Sequence, residues 1–195
     1  NIIIPYEAGN SAAPMNAGNV VNEGFELEAS WRDNIGDFSY SVSGNIATLK
    51  NEGTYLDPHV SGGRIEGSTT MASNGSFSAF EEGFPVWYFR GYQVVHLNEN
   101  GDPVFRDNDG NGSINANDKA MIGKPMPDFT YGHTLTASYK NFDLSVFGNG
   151  SVGNDVFMSY SYNRILYSLK EMYSQRWTPQ NLSAKYARPL LTNAD

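Results

Sequence analysis

Two pairs of segments in which apolar and polar residues alternate one by one limit what this chain can fold into more than any other feature. The first pair is Val21 to Arg32 and Asp37 to Leu49. In the former, Phe25, Leu27, Ala29 and Trp31 share one face while Glu26, Glu28 and Ser30 share the other. In the latter, Phe38, Tyr40, Val42, Gly44 and Ile46 oppose Ser39, Ser41, Ser43 and Asn45. A period of two belongs to strands, where successive side chains leave opposite faces. The polar stretch Asp33-Asn34-Ile35-Gly36 supplies turn residues, so 21–49 is expected to be a hairpin. The same grammar returns at 129–149. Phe129, Tyr131, His133, Leu135, Ala137 and Tyr139 alternate with Thr130, Gly132, Thr134, Thr136 and Ser138. After a tight turn at Lys140-Asn141, Phe142, Leu144 and Val146 alternate with Asp143, Ser145 and, less cleanly, Phe147.

Residues 50–128 separate the hairpins. This stretch is rich in Gly, Ser and Asn and holds the aromatic run Phe84-Pro85-Val86-Trp87-Tyr88-Phe89-Arg90-Gly91-Tyr92. A loop of that length inside a compact domain is usually functional or mobile. Residues 150–195 follow the second hairpin. Within them Ile165, Leu166, Leu169, Met172, Tyr173 and Arg176 show helical spacing over 163–177, and Thr178-Pro179 is expected to stop that helix.

Composition narrows the classes. A formal charge of −8, with no cluster of Lys and Arg, argues against a nucleic-acid partner or a basic membrane-surface helix. With no cysteine there is neither a disulfide nor a thiolate metal site. No run of about 18 apolar residues exists, which excludes a membrane-crossing helix and leaves barrel strands open. The chain opens on Asn1-Ile2-Ile3-Ile4-Pro5, with no secretion signal, and reads as a piece of something longer.

Strands of about ten residues have the length that a tilted membrane-spanning strand needs. Short turns alternate with long excursions, as in outer-membrane barrels. Trp31 and Phe38 flank one short turn, and Tyr139 and Phe142 flank the other, where interfacial aromatics belong. A soluble antiparallel sheet with one wet face gives a similar pattern. The Ser-, Thr-, Asn- and Gly-rich polar faces favour a water-filled lumen. Four strands cannot close a barrel, and hydrocarbon does not tolerate an open edge, so the barrel reading makes this chain an arc of a larger wall. The expected fold class is all-β: an antiparallel transmembrane β-barrel segment with long extracellular loops and one short helix.

Particular residues carry a resemblance to a known family. Asn22-Glu23-Gly24-Phe25-Glu26 looks like its strand entry, and Gly83-Phe84-Pro85 through Gly91-Tyr92 like its Pro-then-aromatic-Gly-Tyr stretch. The most specific block runs from Phe105-Arg106-Asp107 through Asp118-Lys119, Ile122-Gly123, Pro125 and Pro127-Asp128-Phe129-Thr130-Tyr131-Gly132, and Arg176-Trp177-Thr178 with Asn181 matches a later landmark. In these the chain resembles the C-terminal barrel region of the SusC/RagA family of TonB-dependent outer-membrane transporters. The resemblance implies an outer-membrane location and a plugged barrel working with a SusD-like surface lipoprotein. It also implies import of oligosaccharides or peptides, powered through TonB by a part of the protein outside this segment. The wall would touch outer-membrane lipid, and no catalysis is expected.

Two motifs carry chemistry of their own. Asp107-x-Asp109-x-Asn111-Gly112-x5-Asp118 fits the twelve-residue calcium-loop template, with Asp in place of the final Glu. Asp107, Asp109 and Asn111 would supply side-chain oxygens, Ser113 its carbonyl, Asn115 a direct or water-borne contact, and Asp118 the closing carboxylate. The expected cofactor is a structural Ca²⁺; the competing reading is an ion-free Gly/Asx turn. Trp87, Tyr88, Arg90 and Tyr92 are candidate ligand contacts, since aromatic rings combine apolar faces with polar tips; the competing reading is that they pack a loop or barrel rim. His59, His96 and His133 have no triad or metal spacing, and Glu26 and Glu28 suit a wet lumen better than a glycosidase pair. The alternative for the whole chain is a secreted, calcium-stabilised β-sandwich that binds glycans.

Overall fold

The computed structural model describes residues 16–67, 76–157 and 170–188. In chain order its strands are β1 (Gly18–Glu23), β2 (Glu26–Ile35), β3 (Phe38–Thr48), β4 (Lys50–Leu56), β5 (Ile65–Glu66), β6 (Ser78–Phe80), β7 (Tyr88–Gly91), β8 (Val94–Leu97), β9 (Pro103–Phe105), β10 (Ala120–Gly123), β11 (Phe129–Tyr139) and β12 (Phe142–Val152). One helix, α1 (Lys170–Ser174), follows. The described residues divide into two compact units, one built on 16–67, 78–89 and 123–157, the other on 76–77, 90–122 and 170–188.

The first unit is dominated by a four-stranded antiparallel sheet in the order β12-β11-β3-β2. All three ladders run without a register shift. Alternation therefore carries across the whole sheet in rows. Trp31, Val42, Leu135 and Val146 stand side by side on one face, and Leu27, Ile46 and Tyr131 form another row with Gly150. Ser30, Ser43 and Thr134 stand in a row on the opposite face, as do Arg32, Ser41, Thr136 and Ser145. There the Ser41 and Thr136 hydroxyls are 2.6 Å apart. The apolar face is uncovered: Leu27, Val42, Leu135 and Leu144 are 53%, 45%, 37% and 56% exposed. A sandwich would bury these four against a second sheet. Phe147 breaks the polar face, in the row of Ser43 and Thr134.

The two turns at the near end of this sheet are alike. Ile35 pairs with Phe38 and Tyr139 with Phe142, leaving two-residue connections at Gly36-Asp37 and Lys140-Asn141. Each starts with a residue in the left-handed region, Gly36 at φ 62° and Lys140 at φ 54°. The first turn corrects the expectation over 33–36: Asp33, Asn34 and Ile35 belong to β2, because cross-strand pairing with Tyr40, Ser39 and Phe38 outweighs their turn propensity. Ile35, Phe38, Tyr139 and Phe142 make an apolar and aromatic row directly beside both turns.

At the far end the first hairpin bends and continues as β1 paired with β4. The bend lies at Gly24-Phe25 and Leu49. Thr48 N–H donates to Phe25 O at 2.8 Å, and a Cβ on Gly24 would stand 2.0 Å from Thr48 O. Only glycine permits so close an approach. A clasp joins the strand ends here. Leu49 N–H donates to Asp128 O and Asp128 N–H to Val152 O, both at 2.8 Å, while the Asp128 carboxylate pairs with Lys124. Beyond the bend a small core forms from Leu56, Ala79, Phe80 and Tyr88, with Phe80 filling the space beside Gly18 and Gly53.

Residues 50–128, read as one long loop, therefore carry β4 to β10. Strands of two to seven residues are too short for alternation to announce themselves. In the second unit β8 and β9 form a hairpin, and β10, next to β7 in its sheet, sets Ile122 against Gly91. The segment after α1 closes on the β8–β9 turn. Trp177 packs on Gly101, and Arg188 Nε and Nη2 donate to the two Asp102 oxygens at 2.7 and 3.2 Å. The helix expected over 163–177 ends at Ser174, since Gln175 O accepts from Lys185 and Tyr186 N–H and Trp177 N–H donates to Tyr186 O. Residues 158–169 lie outside the described residues.

Candidate functional site

The Asp/Asn/Gly loop lies in the second unit and is ordered by its own side chains. Asp107 Oδ1 and Oδ2 accept from Gly110 and Gly112 N–H, each at 2.7 Å. Asp109 Oδ1 accepts from Asn111 N–H at 3.1 Å, and Asn111 Oδ1 from Ser113 N–H at 2.8 Å. Gly110 and Gly112, at φ 71° and 80°, let the chain coil this tightly. A single turn of 3₁₀ helix, Ala116–Asp118, closes the loop with a reciprocal cap between Asn115 and Asp118.

Asp118 is fully buried. Its Oδ1 accepts from Asn108 N–H at 2.8 Å and its Oδ2 from Asn115 N–H at 2.7 Å. The Asn115 N–H bond holds the carboxyl below the usual carboxylate range, helped by the amides of Asn108 and Asp109 and by Asp107, against the opposing effect of burial. Asp107, Asp109 and Asp118 each bring a carboxylate oxygen within 4.8 Å of the others. Each ionised oxygen keeps acceptor capacity beyond the bond it already makes. Asn111 stands beside them, its amide donating to Asp109 Oδ2 at 2.8 Å. Ser113 O already accepts from Asn115 Nδ2 at 3.0 Å, and Asn115 Oδ1 accepts from Asn117 N–H at 2.9 Å. The carboxylates and Asn111 thus form the better-aimed half of the ligand set. Asn108, a variable position of the template, was not singled out by sequence; its Nδ2 donates to Asp118 O at 2.6 Å and ties the loop's start to its end.

The four candidate ligand contacts divide between the units. In the first, Tyr88 is 2% exposed, stacks on Phe84 with ring centroids 4.7 Å apart, and donates its hydroxyl to Glu81 Oε2 at 2.6 Å. Its surface is spent on the local core. Trp87 is 41% exposed and sits at φ 57°, a rare conformation for a bulky residue, with its ring against Phe80. In the second unit, Arg90 Nη2 donates to Ala116 O at 3.1 Å, which fastens it to the turn that closes the Asp loop. Tyr92 packs against Phe105 and carries the Lys119 ammonium 5.5 Å from its ring centre. Lys119 was not singled out in the sequence, where only its place one residue beyond the loop template hints at it.

An antiparallel wall with one apolar and one hydroxyl-rich face, tight turns at one end and long excursions at the other, has the build of an outer-membrane β-barrel arc. Known proteins agree. The chain is 28% identical over 213 residues to TonB-dependent receptor P3 of Formosa agariphila, covering 95% of this chain and 20% of that protein. It is 31% identical over 175 residues to TonB-dependent receptor SusC of Bacteroides thetaiotaomicron, covering 85% of this chain and 17% of SusC. Among solved structures it superposes on the RagAB peptide transporter with a TM-score of 0.60 and 22% identity, over 77% of this chain and 17% of that one. No family model matches.

The chain belongs to the SusC/RagA family of TonB-dependent receptors, proteins of the bacterial outer membrane. It spans about a fifth of the length of the curated relatives it matches.

Proposed function

We propose that this chain is a wall segment of a receptor that imports oligosaccharides or peptides across the outer membrane, driven through TonB and assisted by a SusD-like surface lipoprotein. The segment's part is mechanical, not catalytic. Its uncovered apolar rows meet lipid, its hydroxyl rows meet water, and its long excursions stand outside the cell. The observation that carries the reading is the unbroken register of the four-stranded sheet, which keeps every apolar row on one side. A soluble glycan-binding sandwich would need a covering sheet, and the exposure of Leu27, Val42, Leu135 and Leu144 favours the barrel. The test is uptake of labelled oligosaccharides and peptides by cells carrying the full-length receptor, with and without TonB. Uptake unaffected by losing either the receptor or TonB would refute the reading.

The Asp loop is read as a structural Ca²⁺ site using Asp107, Asp109, Asn111 and Asp118, with Ser113 and Asn115 completing the shell directly or through water. Three carboxylates drawn this close repel one another, and a divalent cation relieves that. Calorimetry on the intact receptor after chelation is expected to show binding in the range of extracellular calcium modules, about 0.1–1 mM. No heat at millimolar calcium would rule the ion out. Of the residues suggested for ligand contact, Trp87 and Arg90 retain the surface for it, Tyr88 is spent on Phe84 and Glu81, and the Tyr92 ring is taken by Phe105 and Lys119.

A further inference from the structure

The chain holds 21 carboxylates against 13 Lys and Arg, yet among the described residues several cations make no ion pair. In the second unit Arg90, Arg106, Lys119, Lys170 and Arg176 are such cations: the described ion pairs use Lys50, His59, Arg64, Lys124, Lys185 and Arg188 instead. The residues outside the description contribute only Glu7 and Asp195 as further carboxylates. Asp118, next to Lys119 in sequence, aims both its oxygens at backbone N–H groups inside the loop and makes no ion pair with it.

Arg90 and Lys119 are also held in place. Arg90 is fastened through Nη2 to Ala116 O, the first residue of the 3₁₀ turn that Lys119 follows directly. That bond occupies one of the five guanidinium donors and leaves a planar fork for an anion. The Tyr92 ring is not a free stacking platform, because Phe105 packs against it and the Lys119 ammonium lies over it. It acts as a mount that holds the ammonium. Arg106 N–H donates to the backbone of Gln93, the residue after Tyr92, at 2.9 Å.

We propose that Arg90 and Lys119, braced by Ala116 and Tyr92, form a subsite for a carboxylate or sulfate group on the imported ligand. The ligand's identity as cargo rests on the import reading; the anion preference does not. A guanidinium fork and an ammonium point charge suit a planar carboxylate or a sulfate ester far better than a neutral hydroxyl.

The test is titration of the purified full-length receptor in detergent with oligogalacturonide, dextran sulfate, a polyglutamate peptide and neutral dextran. At least one of the three polyanions is expected to bind, with affinity falling as salt rises, while neutral dextran of matched length binds less tightly. Arg90→Gln and Lys119→Gln are each expected to weaken that polyanion by roughly fivefold to tenfold, the size of one charge-assisted bond. Arg90→Lys keeps the charge and loses the fork, so it is expected to fall between. Heat-modifiable gel mobility checks that each variant is folded, and Lys119→Gln leaves the Arg90–Ala116 bond intact. Absence of binding by all three polyanions at millimolar concentration overturns the proposal. So does polyanion binding that neither substitution weakens, or loss of a co-purifying lipoprotein with polyanion binding unchanged. Uptake without polyanion binding would refute the subsite and leave import standing; the reverse would refute import alone.

Discussion

Placing an arginine at Leu135 is the sharpest perturbation of the wall. Leu135 shares a row with Trp31, Val42 and Val146, and Tyr139, in the aromatic row beside the turns, lies four positions further along β11. At about 3.4 Å per residue and a tilt of roughly 40°, Leu135 stands about 10 Å from that row, close to the middle of an apolar band about 25 Å tall. An arginine facing lipid at that depth costs about 3 kcal/mol, or about 150-fold in the folding equilibrium. Thr134 is one residue away at nearly the same height and faces the other side, opposite Ser43 and Phe147. Thr134→Arg should therefore cost less than about 1 kcal/mol. The assay is guanidinium unfolding of the full-length receptor in phosphatidylcholine vesicles, followed by tryptophan fluorescence and gel mobility. Equal losses for the two variants, or a larger loss for Thr134→Arg, would refute the assignment of the apolar face to lipid.

Other positions give further checks. Gly24→Ala drives a methyl into Thr48 O, so it should destabilise the bend by about 1–3 kcal/mol, read as increased protease cleavage between β1 and β2. Gly101→Ala forces a methyl onto the Trp177 ring at a backbone φ of 80°; tryptophan emission should shift to the red, and an unchanged spectrum would contradict the packing. For Asp118 the folded pKa lies below the ordinary 3.8, so its contribution is complete above that pH and is lost as the pH falls through the lowered value. Hydrogen exchange in 105–123, corrected for intrinsic rates, should show protection at pH 5 that fades below pH 3.8, and Asp118→Asn should lack it at both, because an amide NH₂ meets backbone donors.

The wall was legible because long alternating strands announce themselves: Phe129 to Tyr139 and the turn at Lys140-Asn141 stand as the pattern puts them. The first turn was misplaced by Asp33 and Asn34, whose local preference is for turns and whose place was decided by partners on β3. The loop's spacing brings Asp107, Asp109 and Asp118 together, yet the mutual bond of Ser113 and Asn115 depends on rotamers that no spacing specifies. Tyr88 stood among the candidate ligand contacts because an aromatic run gives no sign of which ring turns inward. Lys119 became visible only when Tyr92 was found beneath it.

Thr48 and Phe129 face one another across a ladder, and everything from 49 to 128 departs and returns between them. The membrane-crossing part therefore has no record of how large that insert is. Pinned at Leu49 and Asp128, it is a socket: were the excursion exchanged for a different one, β1 would lose its partner β4, while β3 and β11 would keep each other. A receptor assembled this way can vary its excursions without rebuilding the wall that carries them.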